Sequence, residues 1–463
     1  MSVDLLRKTF NNNGLLDIKS RIEILRNIYQ FLEKEEDNIL DCMYKDLGKP
    51  KQEAFASEIA PVKYEINHII SNINHWSAEK RVSKTFVFAT DDCYVTPQPL
   101  GVVLTISSWN YPFLVPLSTC VGAIAAGNTV LIKPSELAPI SEHFLKSTLG
   151  SYVDKNYVDV FCGGPEETSK LLRNERFDFI IYTGGKTVGK IVMKAAAENL
   201  TPVCLELGGK CPVYVDESAD LSLTASRLVW GKFLNCGQTC IGPDYVLCAE
   251  SIQKELINLM KQKIREFFGQ TPSNSDNYGR IINKAHTKRL GNLINETKGK
   301  ICLGGNLNLD EKFVEPAIIS NVTTSDALMQ DEIFGPLLPI VTVKDCRDAI
   351  RIVNENEKPL SIYVFSGNSL IFNVWKKNTS SGSLVFNDCV IQGANPLLPF
   401  GGVGGSGFGA YKGKHSFNLF SHKRAVVNKS TLQSADYFRL PPYTEKTFAW
   451  SKWAMKNSSC SIM

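Results

Sequence analysis

The sequence predicts an α/β protein with a doubly wound parallel sheet, followed by a second α/β region. Continuous apolar runs at 102–106 and 129–132 are typical of parallel strands that are buried on both faces. Helical stretches separate these runs from two further predicted strands at 158–161 and 177–182, so strands and helices alternate as in βαβ units. The length of 463 residues predicts two or three domains.

The flanking regions have different patterns. Residues from about 15 to 80 predict helices, because apolar side chains recur at helical spacing with charges between them. Residues 86–96 predict two short strands around Asp91 and Asp92, as in a β-hairpin.

The second α/β region, from about 208 to 390, predicts a surface helix and five strands. The helix is at 253–268, and the strands are at 211–215, 245–248, 338–343, 361–365 and 382–386. Residues 400–410 are so rich in glycine that a loop is expected, one that approaches a ligand or a partner subunit.

The composition is ordinary for a globular protein, and the 51 basic and 47 acidic residues leave a net charge of +4. This balance, without a nucleic-acid-binding motif, argues against nucleic acid as a partner. The 13 cysteines are scattered and no secretory signal is evident, which predicts a reducing, cytoplasmic compartment. The six histidines do not cluster, so no metal site is expected, and no apolar run predicts a transmembrane helix.

Cys240 is the candidate nucleophile. It ends a small, polar run that contains Gly237, and Pro243 follows closely, so a long helix through this point is not expected. A cysteine on such a bend can face a cleft. The local sequence leaves open the alternative that Cys240 packs as a small apolar side chain.

Two further side chains complete a candidate catalytic group. Glu206 lies between two leucines, where burial would raise the pKa of its carboxyl group toward a range useful for proton transfer. Asn110 follows the first buried strand, where its side-chain N–H could face a developing oxyanion. Each has an alternative: Glu206 could face water on an edge strand, and Asn110 could serve only a turn.

A glycine-rich turn follows the strand at 177–182 and precedes a helix predicted at 190–198, which makes an anion site at a helix N-terminus. The spacing fits Gly-x-x-x-x-Gly-Lys. However, Ile191 stands where a phosphate-binding NTPase needs Ser or Thr for magnesium, which argues against that class. The turn also lacks the Gly-x-Gly-x-x-Gly fingerprint of dinucleotide-binding proteins.

Seven motifs, in this order, resemble those of the aldehyde dehydrogenase superfamily over nearly the whole chain. They lie at 107–113, 131–136, 182–189, 205–210, 237–240, 332–336 and 399–402. The stretch 201–210 and the short N-terminus are most similar to the class 3 branch, which oxidises medium- and long-chain aliphatic and aromatic aldehydes. The resemblance implies a Rossmann-type nucleotide-binding domain, an α/β catalytic domain and a small bridging element for oligomerisation, in a homodimer.

For the reaction, the resemblance implies that Cys240 attacks the aldehyde, that Asn110 and the Cys240 backbone N–H hold the oxyanion, and that Glu206 activates water. The cofactor is NAD, with NADP possible. Lys133 and Glu136 correspond to positions that hold the adenosine ribose, and Glu332 and Phe334 to positions at the nicotinamide ribose and ring. The turn near the pyrophosphate comprises Gly184, Gly185, Lys186, Thr187, Val188 and Gly189. Gly185 departs from the Ser or Asn usual there.

These expectations divide the chain into four parts. The nucleotide-binding domain takes 1–81 and 97–207, the catalytic domain 208–390, and the bridging element 82–96 and 391–440. The tail, 441–463, is predicted to associate with a membrane. It ends in Cys460-Ser-Ile-Met, which fits a farnesylation box, and Trp and Lys side chains precede it. The resemblance extends here to class 3 members with lipidated C-termini, and it predicts a peripheral membrane location.

Two alternatives to an aldehyde dehydrogenase remain at this point. One is a thioester-forming esterase or a CoA-acylating relative, against which Glu206 argues, since an acylating enzyme does not need activated water. The other is a non-catalytic binding or structural protein on the same fold. The presence of Cys240, Glu206 and Asn110 together argues against it.

Overall fold

The computed structural model describes residues 2–12, 17–431 and 439–456. Its strands are β1 (Lys80–Arg81), β2 (Asp92–Pro99), β3 (Val102–Ile106), β4 (Thr129–Lys133), β5 (Val158–Val160), β6 (Phe179–Gly184), β7 (Val203–Leu207), β8 (Pro212–Val215), β9 (Tyr245–Cys248), β10 (Lys300–Leu303), β11 (Leu307–Asn308), β12 (Phe313–Val314), β13 (Ala317–Ser320), β14 (Leu337–Thr342), β15 (Ser361–Phe365), β16 (Ser383–Phe386), β17 (Gly407–Phe408) and β18 (Ser421–Asn428).

The α-helices are α1 (Ser2–Asn11), α2 (Ile18–Lys34), α3 (Glu36–Leu47), α4 (Lys51–Ala54), α5 (Ala60–Ser77), α6 (Leu114–Ala125), α7 (Pro139–Thr148), α8 (Pro165–Asn174), α9 (Lys186–Glu198), α10 (Leu221–Phe233), α11 (Glu250–Phe268), α12 (Lys284–Glu296), α13 (Ala327–Gln330), α14 (Cys346–Asn354), α15 (Ser369–Asn378), α16 (Gly413–Leu419) and α17 (Glu445–Lys456). A π-helical segment, Phe55–Ile59, joins α4 to α5.

The first large sheet has six strands in the order β17-β7-β6-β3-β4-β5. All of them run parallel except β17, which pairs antiparallel with β7. Helices cover both faces, since Val103 packs in a cluster with α2, α5 and α6, while Val102 and Leu104 pack with α1, α8 and α9. The alternation of side chains along β3 explains why its sequence is continuously apolar. The predicted doubly wound α/β architecture is confirmed.

The second large sheet has seven strands in the order β10-β13-β14-β9-β8-β15-β16. It is parallel apart from the edge strand β10. The predicted strands at 245–248 and 361–365 coincide with β9 and β15, and the others agree within one or two residues. The division of the chain into domains stays a prediction, and its tail includes residues outside the described ranges.

The predicted hairpin at 86–96 is wrong. Phe86–Phe88 forms a 3₁₀ turn, and β2 pairs instead with β1 and, along its whole length, with β18. The turn is held because the buried carboxylate of Asp91 accepts hydrogen bonds from the Lys429 ammonium and the Ser430 N–H. Because these partners and β18 lie far along the chain from β2, the sequence around Asp91 does not indicate this pairing.

Two boundaries near the predicted site also differ. Helix α9 begins at Lys186, not at Lys190, so most of the glycine-rich turn is the first helical turn, with Gly185 as its N-cap. Within the predicted loop at 400–410, β17 pairs with β7. Gly407 has a φ of 125°, and a side chain there would collide with the Leu205 carbonyl, so only glycine lets these backbones approach.

Candidate active site

Cys240 lies on a loop, residues 234–241, that follows the end of α10 and precedes β9. Asn235, Cys236 and Gly237 have φ values of 51°, 54° and 74°, so three consecutive residues are left-handed. Such backbone costs about 1–2 kcal/mol for each residue other than glycine. Gly237 packs so closely on the Gly335 carbonyl that an added Cβ would collide with it. Cys240 is therefore on a bend, as predicted.

The buried side chain of Gln238 anchors this Cys240 loop. Its amide donates to the Arg280 carbonyl and to the Asn235 carbonyl, both at 3.0 Å, and its Oε1 accepts from the Ile282 N–H at 2.9 Å. These bonds stabilise the left-handed turn from within and tie it to the segment before α12. Sequence reasoning missed this role, although Gln238 stands beside the motif cysteine.

Asn110 contacts the same loop. Its side-chain amide donates to the Gln238 carbonyl at 2.9 Å, and its Oδ1 accepts from the Ser108 hydroxyl at 2.7 Å. The Asn235 side chain donates to the carbonyls of Asn110 and Gln238, at 2.9 and 3.1 Å. No described residue accepts from the second amide N–H of Asn110. That N–H is available to a ligand, and the role of Asn110 as an oxyanion donor stays a prediction.

Glu206 lies on β7, between β6 and β17, and only 3% of it is exposed. The alternative of an edge-strand carboxylate that faces water is therefore wrong. Its Oε1 accepts from the Cys204 thiol at 3.6 Å, and Oε2 has no partner among the described residues. Burial raises the pKa of this carboxyl group well above its usual value.

The Cys240 thiol is partly buried and faces two carboxyl groups. Burial raises its pKa to about 12, and the charges of Glu332 and Glu206 act in the same direction. The Cys211 thiol donates to the Cys240 carbonyl at 3.4 Å, and the hydroxyls of Tyr111 and Thr239 are 2.7 Å apart. Forming a thiolate here therefore needs a base or positive charge.

A single cavity of about 1210 Å³ brings these side chains together. Asn110, Glu206, Cys240 and Glu332 all line it. Apolar side chains cover much of the remaining wall, among them Leu114, Val115, Trp230, Phe233, Ile391 and Phe400. An apolar cavity with a few convergent polar groups and shifted pKa values is the usual form of an active site.

The residues predicted to bind a dinucleotide lie around one end of the six-stranded sheet. Lys133 ends β4, and its buried ammonium is 2.5 Å from a Glu136 carboxylate oxygen. The first turn of α9 follows Gly184, at the end of β6, and the N-cap Gly185. Lys186, Thr187 and Val188 in this turn are exposed, whereas Gly189 is buried. A Cβ added at Gly185 would meet nothing within 4 Å. An open helix N-terminus beside an ammonium and a carboxylate fits a pyrophosphate with its ribose.

Glu332 and Phe334 approach the cavity from the segment before β14. The Glu332 carboxylate lies against Gly208, where any side chain would collide with it, and burial raises its pKa to about 8. Phe334 has a φ of 44°, and its ring centroid lies 5.3 Å from that of Trp109. Arg289 holds this segment by donating to the Ile333 carbonyl at 2.6 Å. Both residues line the same cavity as the candidate catalytic group.

A buried charged network under the Cys240 loop gave no signal in the sequence. The Lys49 ammonium and the Glu58 carboxylate, both fully buried, are 2.5 Å apart. Lys49 also donates to the Asn110 carbonyl at 3.2 Å, and Glu58 accepts from the N–H of Phe113 at 2.9 Å. Glu53 accepts from the Asn235 N–H at 2.9 Å, and burial raises the pKa of Glu53 to about 7.

Comparisons with known proteins agree with this geometry. The model of the aldehyde dehydrogenase family matches residues 3–426. Aldehyde dehydrogenase family 3 member A2 of Rattus norvegicus is 42% identical, over 97% of this chain and 93% of its own. The rat aldehyde dehydrogenase named dimeric NADP-preferring is also 42% identical, over 96% and 98%. The substrate-bound AldH of Staphylococcus aureus superposes with a TM-score of 0.95 at 40% identity, over 98% of each chain. The chain therefore belongs to the aldehyde dehydrogenase family, and its reaction is the NAD(P)-dependent oxidation of an aldehyde.

Proposed function

We propose that Cys240 is the nucleophile of this reaction, Asn110 its oxyanion donor and Glu206 the base that activates water. The observation that carries this assignment is the shared cavity, in which one amide N–H of Asn110 has no acceptor among the described residues. The Asn110 amide donates to the carbonyl of Gln238, which is two residues before Cys240 on the same loop. The three side chains line the same cavity, which supports their acting on one bound aldehyde.

The reaction proceeds in two stages. The Cys240 thiolate attacks the aldehyde carbon, and the oxygen becomes an oxyanion that the Asn110 amide and the Cys240 backbone N–H stabilise. When bound, NAD(P) would supply the hydride acceptor needed to oxidise the thiohemiacetal to the thioester. Glu206 then takes a proton from water, the hydroxide attacks the thioester carbon, and the carbon–sulfur bond breaks to release the acid.

The same chain would hold the cofactor. Glu136 would accept from a ribose hydroxyl, which favours NAD, while Lys133 beside it would tolerate the added phosphate of NADP. The first turn of α9 would hold the pyrophosphate, and Glu332 would hold the nicotinamide ribose. A relative named NADP-preferring supports the use of both cofactors.

The substrates we propose are medium- to long-chain aliphatic and aromatic aldehydes. The apolar cavity wall, with Trp230, Phe233, Ile391 and Phe400, supports this choice, because each buried methylene contributes about 0.8 kcal/mol. The relative named dimeric supports a homodimer.

The test of the reaction compares the wild type with Cys240→Ala, using NAD and NADP and aldehydes from short chains to long ones. We expect cofactor reduction by the wild type, with the highest kcat/KM for long chains, and none by the variant. Cys302→Ala removes a partly exposed cysteine on the edge strand β10, which does not line the cavity, and should behave as the wild type. Equal turnover by Cys240→Ala would contradict the assignment. An acyl-CoA product instead of the acid would favour the acylating alternative.

We also propose that the C-terminus anchors the enzyme, from a cytoplasmic position, to a membrane, where it would oxidise lipid-derived aldehydes. None of the helices that the structure describes is long and apolar enough to span a bilayer. Helix α17 carries the basic residues Lys446, Lys452 and Lys456, and Phe448 on it is 58% exposed. Cys460, the proposed farnesylation site, lies outside the described residues.

The anchor is tested by fractionating cells that express the wild type or Cys460→Ser. We expect the wild type in the membrane fraction and the variant in the soluble fraction, with unchanged kcat in detergent. One lipid chain binds membranes only marginally, so replacing the three α17 lysines by glutamine should weaken the association as well. Membrane-bound Cys460→Ser would contradict the proposal.

A further inference from the structure

We propose that Cys204 is a positioning residue, whose thiol holds one carboxyl oxygen of Glu206 and so leaves the other oxygen to take a proton from water. The inference rests on the proposed function, since it concerns how Glu206 acts as a base. It assigns a role to a buried thiol that the reaction itself does not use.

The geometry comes from a single strand. Cys204 and Glu206 are two residues apart on β7, so their side chains lie on the same face of the sheet. The Cys204 sulfur is 3.6 Å from Glu206 Oε1, and Cys204 is fully buried. Among the residues described by the structure, Glu206 Oε2 has no hydrogen-bond partner although it is buried. A buried oxygen without a partner is unusual and is typical of functional sites.

The thiol is held where it is by its neighbours. Gly409, with a φ of 93°, lies so close to Cys204 that a Cβ there would collide with the sulfur. Strand β17 pairs with β7 through Gly407 opposite Glu206, and β6 pairs on the other side. The glycine-rich loop therefore fixes the thiol, and the thiol in turn fixes one oxygen of the carboxyl group.

A thiol suits this role because it is a weak donor. Burial raises the pKa of the Cys204 thiol, so it keeps its proton and remains a donor. A hydroxyl in its place would bind the carboxylate more strongly, lower the pKa of Glu206 and make it a weaker base. A methyl group would remove the donor, so that both oxygens would lack partners and the carboxyl group could turn away.

The test uses p-nitrophenyl acetate without cofactor, which separates acylation of Cys240 from hydrolysis of the thioester. The thiolate displaces p-nitrophenolate in a burst, and water activated by Glu206 then releases acetate at the steady-state rate. Both phases are recorded against pH for the wild type, Cys204→Ala, Cys204→Ser and Cys248→Ala. Cys248 is a fully buried cysteine of the other large sheet and serves as the matched control.

For Cys204→Ala we expect an unchanged burst, with a steady-state rate at least tenfold lower and a pH midpoint about one unit higher. Cys204→Ser should move the midpoint in the opposite direction by a similar amount. The control should leave both phases as in the wild type. Since the two Cys204 variants are expected to shift in opposite directions, a general loss of packing cannot reproduce the result.

The inference would be overturned if the pH midpoint of the steady-state rate were unchanged in both Cys204 variants. It would also be overturned if Cys248→Ala shifted that midpoint as much as the Cys204 variants do. Failure of the proposed function is distinguishable, because it would appear as a burst that survives Cys240→Ala, or as a steady-state rate that survives Glu206→Gln. If Cys204→Ala does not fold, Cys204→Ser decides alone, since a midpoint at or above that of the wild type would contradict the proposal.

Discussion

The side-chain amide of Asn110 uses only part of its hydrogen-bonding capacity with the residues that the structure describes. The Ser108 hydroxyl donates to the Asn110 Oδ1, and the Gln238 carbonyl accepts from one of the two amide N–H groups. The amide is therefore oriented by its own partners before a substrate arrives. Such preorganisation is what makes an oxyanion donor effective, because no reorganisation is needed as charge develops.

Asn110→Ala should lower kcat/KM for aldehydes by about a hundredfold to a thousandfold, because the oxyanion loses a preorganised donor. The burst with p-nitrophenyl acetate should slow to a similar extent, and the melting temperature controls for unfolding. Asn156→Ala, at an exposed turn, is the matched control. A burst at the wild-type rate in Asn110→Ala would show that the oxyanion is held elsewhere.

At the scale of elements, sequence patterns predicted most strands of the two large sheets but not how the smaller elements pair. The runs at β3, β9 and β15 are continuously apolar, and both of their faces are buried, so the local pattern is sufficient. Strands β2 and β18 are mostly half-buried or exposed, and their pairing joins distant segments. Cys240, Glu206 and Asn110 stand in recognisable motifs, whereas Lys49, Glu53 and Glu58 act through contacts that only the folded chain creates.

The role of the left-handed turn at 235–237, before Cys240, can be tested by substituting its glycine. Gly237→Ala places a side chain at a φ of 74° and against the Gly335 carbonyl, so we expect the Cys240 loop to shift. The free energy of unfolding should fall by about 1–2 kcal/mol or more, and the burst rate by at least tenfold.

Gly185→Ala is the control for this change. Gly185 has a φ of −75°, and the added methyl group would meet nothing within 4 Å, so stability should change by less than about 0.5 kcal/mol. The measurement is thermal unfolding of both variants beside their burst kinetics. Equal effects of the two substitutions would contradict the role given to the turn.

On the scale of the whole molecule, the cavity exists because two sheets supply its walls. Glu206 comes from the six-stranded sheet, whereas Cys240 lies between β8 and β9 of the seven-stranded sheet. A buried network joins the parts of the site that the two sheets supply. It consists of Lys49, Glu53 and Glu58, and it contacts both Asn110 and Asn235. Stability and the active site are therefore coupled through buried charges at this junction.

This coupling predicts how stability depends on pH. Burial raises the pKa of Glu53 from 4.5 to about 7, so the folded protein holds this proton more tightly than the unfolded chain does. Below pH 4.5 both states are protonated and Glu53 adds no pH dependence. Between pH 4.5 and 7 the unfolded state ionises first, and the free energy of unfolding falls as the pH rises.

Glu53→Gln should remove this loss of stability at higher pH. Glutamine can still accept from the Asn235 N–H, and it carries no charge at any pH. We expect the variant to be more stable than the wild type above pH 7, by about 1–3 kcal/mol, and equally stable near pH 4.5. Glu255→Gln makes the same chemical change on the exposed side of α11 and should leave the pH profile of the wild type intact. Thermal unfolding from pH 4.5 to 8.5 measures all three proteins. A constant difference between Glu53→Gln and the wild type across this range would mean that Glu53 ionises no differently in the folded protein than in the unfolded chain.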